Sequence, residues 1–202
     1  MLIRSIEQTS PGVYKLTPDA GSAFFLRTAY LSRLDGGALE AAAGGQQEFG
    51  EQESLELLDA ALAYAAECTA MAYLGRAEHC RFSLAAKLHK KGVGRQAAEA
   101  ALDYLESTGS LDDRRFAGAW LRNRSIDHTE GRLRLRAELA ARGIERSIAE
   151  AALDEFFQEH DEQELCSRAC KKIAACKRDP LKIRAALLRA GFSPKLIRKC
   201  TK

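Results

Sequence analysis

Leu135-Arg-Ala-Glu-Leu139-Ala-Ala-Arg-Gly143-Ile144 is one of three closely similar stretches in this chain. The others are Leu84-Ala-Ala-Lys-Leu88-His-Lys-Lys-Gly92-Val93 and Ile183-Arg-Ala-Ala-Leu187-Leu-Arg-Ala-Gly191-Phe192. Their glycines stand 51 and 48 residues apart, so a unit of about 50 residues is repeated. Each part of the pattern has a physical cause. Apolar residues four apart make the buried stripe of a short helix. Lys91, Arg142 and Arg189 put positive charge in the last turn, where the helix dipole favours it. Glycine follows where the chain must turn left-handed, and the next apolar residue folds back onto the helix.

Each short helix is followed by a closing helix, expected over Gln96–Glu106, Ser147–Phe157 and Pro194–Cys200. Start signals agree with this reading. Ser110-Leu-Asp-Asp113 has the form of a capping box ahead of Phe116 and Trp120, and Asp161 precedes Glu162 and Glu164. Asp179-Pro180 and Ser193-Pro194 each place a cap before proline at the first helical position. The expected fold is mainly α: tandem three-helix, helix-turn-helix-like modules over 54–109, 110–160 and 161–202, the last one trimmed. Modules that touch mainly their neighbours form an elongated array; a compact bundle is the alternative.

Upstream the pattern changes. Leu2–Ile6, Val13–Leu16 and Ala23–Leu26 are short β-prone runs separated by Ser10-Pro11-Gly12 and Pro18-Asp19-Ala20-Gly21. They predict a small three-stranded, β-rich N-terminal extension over 1–35. Residues 36–53 are rich in Gly and Ala and read as a linker. Leu55, Leu58, Leu62 and Ala65/Ala66 follow the spacing of one buried helical face.

The chain has 202 residues, 46% of them apolar and 29% charged, which fits a folded protein and not a disordered one. No run of 18 uncharged apolar residues occurs, and Met1–Ser10 lacks a signal-peptide core, so a cytoplasmic protein with no membrane association is expected. The six cysteines form no C-x-x-C, although Cys166 and Cys170 stand one helical turn apart. They read as reduced thiols, with a thiol or metal switch as the minor alternative. Neither GxGxxG nor GxxxxGK[ST] is present, and serine has no elbow motif. Asp112-Asp113 suits helix capping. The four histidines are scattered, and the sequence shows no serine or cysteine arranged with them as a catalytic pair. No catalytic, metal or cofactor residue is expected, and the chain reads as a non-enzyme.

Charge is what remains. Residues 1–167 carry 19 basic and 27 acidic residues, whereas residues 168–202 carry 12 basic residues and one acidic residue, Asp179. Such a tail is either a solvated surface or a face for a polyanion or an acidic protein. The candidate partner-binding residues are Arg115 and Arg122, then Arg132 with Arg134 and Arg136, the last two flanking the Leu135/Leu139 stripe on opposite sides, and then Lys171, Lys172, Lys177, Arg178, Lys182 and Arg184. Leu133 is expected to point outward among these arginines. Aromatics are not interleaved with the cations, so phosphate or carboxylate contacts fit better than base stacking.

Two blocks carry a family resemblance. Gly109-Ser-Leu-Asp112-Asp113-Arg-Arg-Phe116-Ala117 resembles the G-x-L-D-D-x-x-F-A of the RecX family, bacterial regulators of the RecA recombinase. Gly131-Arg-Leu-Arg-Leu-Arg-Ala-Glu138-Leu139-Ala-Ala-Arg142-Gly143-Ile144 is similar to its G-P-x-R-I-x-x-E-L-x-x-K-G-I. The resemblance runs from about Leu58 to the end. Arg132 stands where the family pattern has proline, and Ala77-Glu78-His79-Cys80 departs from its Arg-x-His/Arg-Ser. The resemblance implies a non-enzymatic protein that binds RecA and its filament on single-stranded DNA, and a monomer is expected. It implies contact in the filament groove and inhibition of recombinase, ATPase and co-protease activities, as part of the regulation of DNA repair, recombination and the SOS response. Weak direct DNA binding is compatible with it. The alternative is a helix-turn-helix DNA-binding protein acting through its basic C-terminal third.

Overall fold

A computed structural model describes residues 1–34, 37, 39, 46–176 and 179–200 of the chain. Lys177 and Arg178 lie outside the described residues, as does part of the 36–53 stretch. The chain is mostly helical, with tandem three-helix domains and a small N-terminal antiparallel sheet. It divides into two compact units: Met1–Ala77 with Leu84–Leu111, and Glu78–Ser83 with Asp112–Lys202.

In the first unit, strands β1 (Leu2–Ser10), β2 (Val13–Pro18), β3 (Phe24–Arg27) and β4 (Gln47–Glu48) form an antiparallel sheet in the order β3-β2-β1-β4. The expected sheet had three strands. The fourth comes from the stretch read as a linker, where Glu48 and Gln47 pair with Leu2 and Ile3. Two residues of ladder carry too little alternation to stand out in a sequence.

Helix α1 (Glu51–Leu74) also begins inside that stretch. Its first turn is held by the Gly50 N–H donating to the Glu53 carboxylate at 2.8 Å. Leu57 and Ala60 pack with Ile3, Ile6, Tyr14, Leu16 and Leu26 of the sheet. Further along, Ala70 packs against Leu84 and Leu88 of α2 (Arg81–Lys90) and Leu102 and Leu105 of α3 (Arg95–Ser107).

This reverses the expected face of α1. Ala66 is buried as predicted, but Leu55, Leu58 and Leu62 are 57%, 44% and 60% exposed. The buried positions are Leu57, Ala60, Ala63, Ala66, Glu67 and Ala70. Alanine lets backbones approach closely, so the small residues face the sheet and α3 while the leucines stay outside. By length and composition α1 could cross a membrane; here it is the central packing helix of its unit.

The second unit contains α4 (Asp113–Asp127), α5 (Arg132–Ala140), α6 (Arg146–Glu159), α7 (Glu162–Cys176), α8 (Pro180–Arg189) and α9 (Pro194–Cys200). One core joins them, including Leu121, Leu135, Leu139, Leu153, Phe156, Leu165, Leu187, Phe192 and Ile197, with Cys80 buried among them. The cap of α4 is Asp112 rather than Ser110, its carboxylate accepting from Arg114 N and Arg115 N at 2.8 and 3.1 Å. Asp113 instead accepts from Arg81 N at 2.7 Å. Asp179 caps α8 through Leu181 N at 2.9 Å.

The three repeated helix ends share one geometry. Gly92, Gly143 and Gly191 have φ of 81°, 76° and 88°. In each, the residue after glycine donates back to the repeat's second apolar residue: Val93 N to Leu88 O, Ile144 N to Leu139 O and Phe192 N to Leu187 O, at 3.1 to 3.2 Å. This is the left-handed cap that the sequence pattern anticipates.

Candidate functional site

The cationic surface of the second unit is built on a backbone-to-backbone contact. Gly131 N donates to Ala190 O at 2.8 Å, and Leu133 N donates to Gly191 O at 3.2 Å. No side chain fits between these segments. A Cβ at Gly191 would lie 2.2 Å from Arg134 N, and one at Gly131 would lie 2.4 Å from Gly191 O. The start of α5 is thereby fixed against the end of α8, which sets where its arginines point.

Those arginines are held by carboxylates. Arg132 Nη2 lies 2.9 Å from Glu150 and 2.5 Å from Asp154, both on α6. Burial opposes its charge, but the hydrogen bonds to Glu150 and Asp154 prevail and its pKa is raised. Its backbone N–H donates to Glu162 at 3.0 Å. Proline, which the family pattern carries here, has no N–H to give, so the departure at Arg132 gains a tie to α7. Arg136 shares the same acceptor. Its Nε is 2.5 Å from Glu150 Oε1 without a hydrogen-bonding angle, and its Nη2 donates to Glu150 Oε2 at 3.2 Å. The Arg132 hydrogen bond, with the Arg136 charge beside it, holds the Glu150 carboxyl below its ordinary range.

Arg134 pairs within its own helix, with Glu138 at 2.6 Å, and reaches Glu130 at 3.9 Å. Arg142 donates to Glu138 at 2.9 Å, and that bond, reinforced by the Arg134 charge, lowers the Glu138 pKa. Leu133 is 51% exposed, as expected. On α4, Arg115 donates to Glu78 at 2.7 Å. Arg122 is exposed on the same helix, with no ion-pair partner among the described residues. Trp120 is covered by guanidinium groups, with Arg142 at 4.5 Å and Arg124 at 5.8 Å from its ring centre. A face so occupied is not open to a stacking base.

The remaining candidates behave differently. Lys171 and Lys172 on α7, and Lys182 and Arg184 on α8, are exposed. Among the described residues none of the four has an ion-pair partner. Leu181, beside Lys182, is 77% exposed. The sequence-predicted set therefore splits into a paired group, Arg115, Arg132, Arg134 and Arg136, and an unpaired group, Arg122, Lys171, Lys172, Lys182 and Arg184. The acidic residues that make the difference, Glu78, Glu130, Glu138, Glu150 and Asp154, were not singled out from sequence. The Arg134/Glu138/Arg142 spacing of four could have shown part of it. The reach from α5 to α6 could not, because it depends on how the helices pack.

The first unit holds a buried ionic cluster that sequence reasoning also missed. Glu67, 5% exposed on α1, accepts from Arg27 at 2.8 and 2.6 Å and from the Tyr30 hydroxyl at 2.9 Å. Arg27 lies over the Tyr104 ring at 4.7 Å. Burial, and then the Glu67 hydrogen bond, push the Tyr30 pKa up. Both Glu67 oxygens and the Tyr30 hydroxyl are engaged, which suits a structural tie between β3 and α1. Among the described residues no group of three or more His, Cys, Asp or Glu is arranged to hold a metal ion.

Comparison with known proteins decides the family. The regulatory protein RecX of Treponema pallidum is 42% identical over 137 residues, covering 68% of this chain and 84% of that protein. The chain belongs to the RecX family. The models of the first and second RecX three-helix domains match residues 69–105 and 112–153. The RecX protein of Prosthecochloris aestuarii is 33% identical over 135 residues, 64% of this chain and 87% of that one. The fold agrees with a crystal structure of regulatory protein RecX at a TM-score of 0.77 and 21% identity, over 98% of this chain and 97% of that chain. RecX from Lactobacillus salivarius has a TM-score of 0.61 at 21% identity, over 69% of this chain and 94% of that one.

Proposed function

We propose that this RecX-family chain binds RecA and its filament on single-stranded DNA, and inhibits recombinase, ATPase and co-protease activities by protein contact in the filament groove. It does so without catalysis of its own, in the cytoplasm, as a monomer. One observation supports the reading most directly. The cations of α7 and α8 are exposed and lack internal carboxylate partners among the described residues, unlike those of α5. Their charge is available to an acidic protein face. Exposed Leu181 beside Lys182 suits a protein partner, since apolar area adds little to a phosphate contact. A filament repeats its binding surface, so modest contacts on successive protomers combine at high effective concentration.

The test is the DNA-dependent ATPase of the cognate RecA, titrated with this chain at fixed salt beside direct binding to free single-stranded DNA. Inhibition at concentrations well below those that coat the DNA is expected. Inhibition that only tracks DNA occupancy contradicts the proposal.

The second reading is direct DNA binding through the basic C-terminal third, and the same unpaired cations favour it. It predicts affinity for free DNA that falls steeply with salt, by about one power of salt concentration per phosphate contacted. Deletion of Leu181–Lys202 abolishes that binding if this reading holds.

A further inference from the structure

Three of the six cysteines meet in one corner of the second unit. Gln163, Cys166, Ser167 and Cys170 recur at intervals of three and four along α7, and so share one face. The end of α9 lies on that face. The Cys200 thiol is 3.4 Å from Ser167 Oγ and 3.9 Å from the Gln163 carbonyl oxygen, and Cys170 Sγ is 3.7 Å from the Cys200 carbonyl oxygen. Cys166 is fully buried, and the residues that hold the Cys200 thiol, Gln163 and Ser167, stand one turn before it and directly after it on α7. Cys200 itself is half-buried. The other thiols stand apart from this group: Cys68 and Cys176 are exposed, and Cys80 donates to the Arg142 carbonyl at 3.3 Å.

We propose that Cys166 and Cys200 are a thiol–disulfide modification site, closed by a low-molecular-weight disulfide such as oxidised glutathione, which fastens α9 to α7. The half-buried Cys200 is the thiol that meets the oxidant. Its thiolate attacks one sulfur of the small disulfide, the S–S bond breaks, and one small thiolate leaves and takes a proton from water. Cys166 then loses its proton to water and attacks Cys200 Sγ; the mixed S–S bond breaks, and the second small thiolate leaves and takes a proton from water. Two electrons pass from the protein pair to the oxidant, which ends as two thiols. Burial, with the Cys200 neighbour, pushes the Cys166 thiol up to about 12. Such a thiol is inert toward outside reagents. It reacts only with a sulfur delivered beside it, which is what a mixed disulfide on Cys200 supplies.

The cysteines can be mapped apart. Trypsin cuts after Arg168, Lys171 and Lys199, which puts Cys166, Cys170 and Cys200 on separate peptides. The full-length chain is equilibrated with oxidised glutathione, alkylated in acid and digested, and linked peptides are identified by mass with and without reductant. The expected product joins the Cys166 and Cys200 peptides and disappears on reduction. Cys200→Ser abolishes it, and Cys166→Ser leaves glutathione on Cys200. The oxidised chain melts at a higher temperature than the reduced one. A Cys170–Cys200 link, stable glutathione on Cys200 in the unmutated chain, or persistence of both thiols overturns the assignment.

Discussion

The arginines of α5 and the cations of α7 and α8 look alike in sequence, but the fold uses them differently. Arg132, Arg134 and Arg136 form ion pairs within the unit, with Glu150, Asp154 and Glu138. Lys171, Lys172, Lys182 and Arg184 are exposed with no such partner among the described residues. A paired guanidinium must give up its carboxylate before it can serve a ligand, so its attraction to an outside anion is largely offset. An unpaired ammonium loses only water. A dense run of arginines therefore marks a structural seam here, and the sparser lysines of the next helices mark the available charge.

This contrast can be strained hardest at the point that joins the two regions. Gly191→Ala drives a Cβ into the backbone of Arg134 at a left-handed φ of 88°. Denaturant unfolding is expected to show a loss of about 4 kcal/mol or more, the range of severe backbone and packing conflict. Gly92→Ala is the matched control. Its φ is 81° but nothing lies within 4 Å of the added carbon. Only the left-handed strain remains, about 1 kcal/mol. Equal losses at the two glycines would refute the wedge between α5 and α8.

A smaller effect is expected from Glu150→Ala, which removes the acceptor shared by Arg132 and Arg136. The pair is partly exposed, so the loss is about 1 kcal/mol, read from the urea midpoint at constant m-value. If the paired and unpaired cations were equivalent, this change would cost nothing.

Acid should separate them as well. Glu138 and Glu150 have pKa values below the ordinary 4.5 when folded. Their stabilising contribution is therefore complete above the unfolded value and is lost as pH falls through the lower folded values. The melting temperature should drop as pH falls below about 4.5, and Glu150→Gln should flatten that drop. Least of all, Lys171→Ala should change stability by no more than about 0.5 kcal/mol, as an unpaired surface residue does.

Much of the helical architecture was legible in the sequence because its signals are local. The repeated Leu-x-x-x-Leu followed by glycine encodes a stripe, a left-handed cap and a fold-back, and all three caps appear at Gly92, Gly143 and Gly191. What escaped depends on partners distant in sequence. Leu55, Leu58 and Leu62 share the spacing of a buried face, but Ala60, Ala63 and Ala70 fit closer to their neighbours and take the interior. Two residues of β4 give no periodic signal. The basic residues were visible as candidates, but pairing across helices sorts them, and Glu150 stands 18 and 14 residues from the arginines it holds. Glu67, buried beneath Arg27 and Tyr30, was hidden for the same reason.

The unpaired cations of α7 and α8 are expected to carry partner binding. The most direct measurement is the DNA-dependent ATPase of RecA titrated with the K171E/K172E/K182E/R184E variant and, separately, with the R132Q/R134Q variant, melting curves being recorded for both. The first variant is expected to melt like the unmutated chain yet to need at least about tenfold more protein to inhibit, equivalent to about 1.4 kcal/mol of binding. The second should melt lower while its folded form inhibits nearly as before. Full-strength inhibition by the first variant, with loss confined to the second, would contradict that expectation.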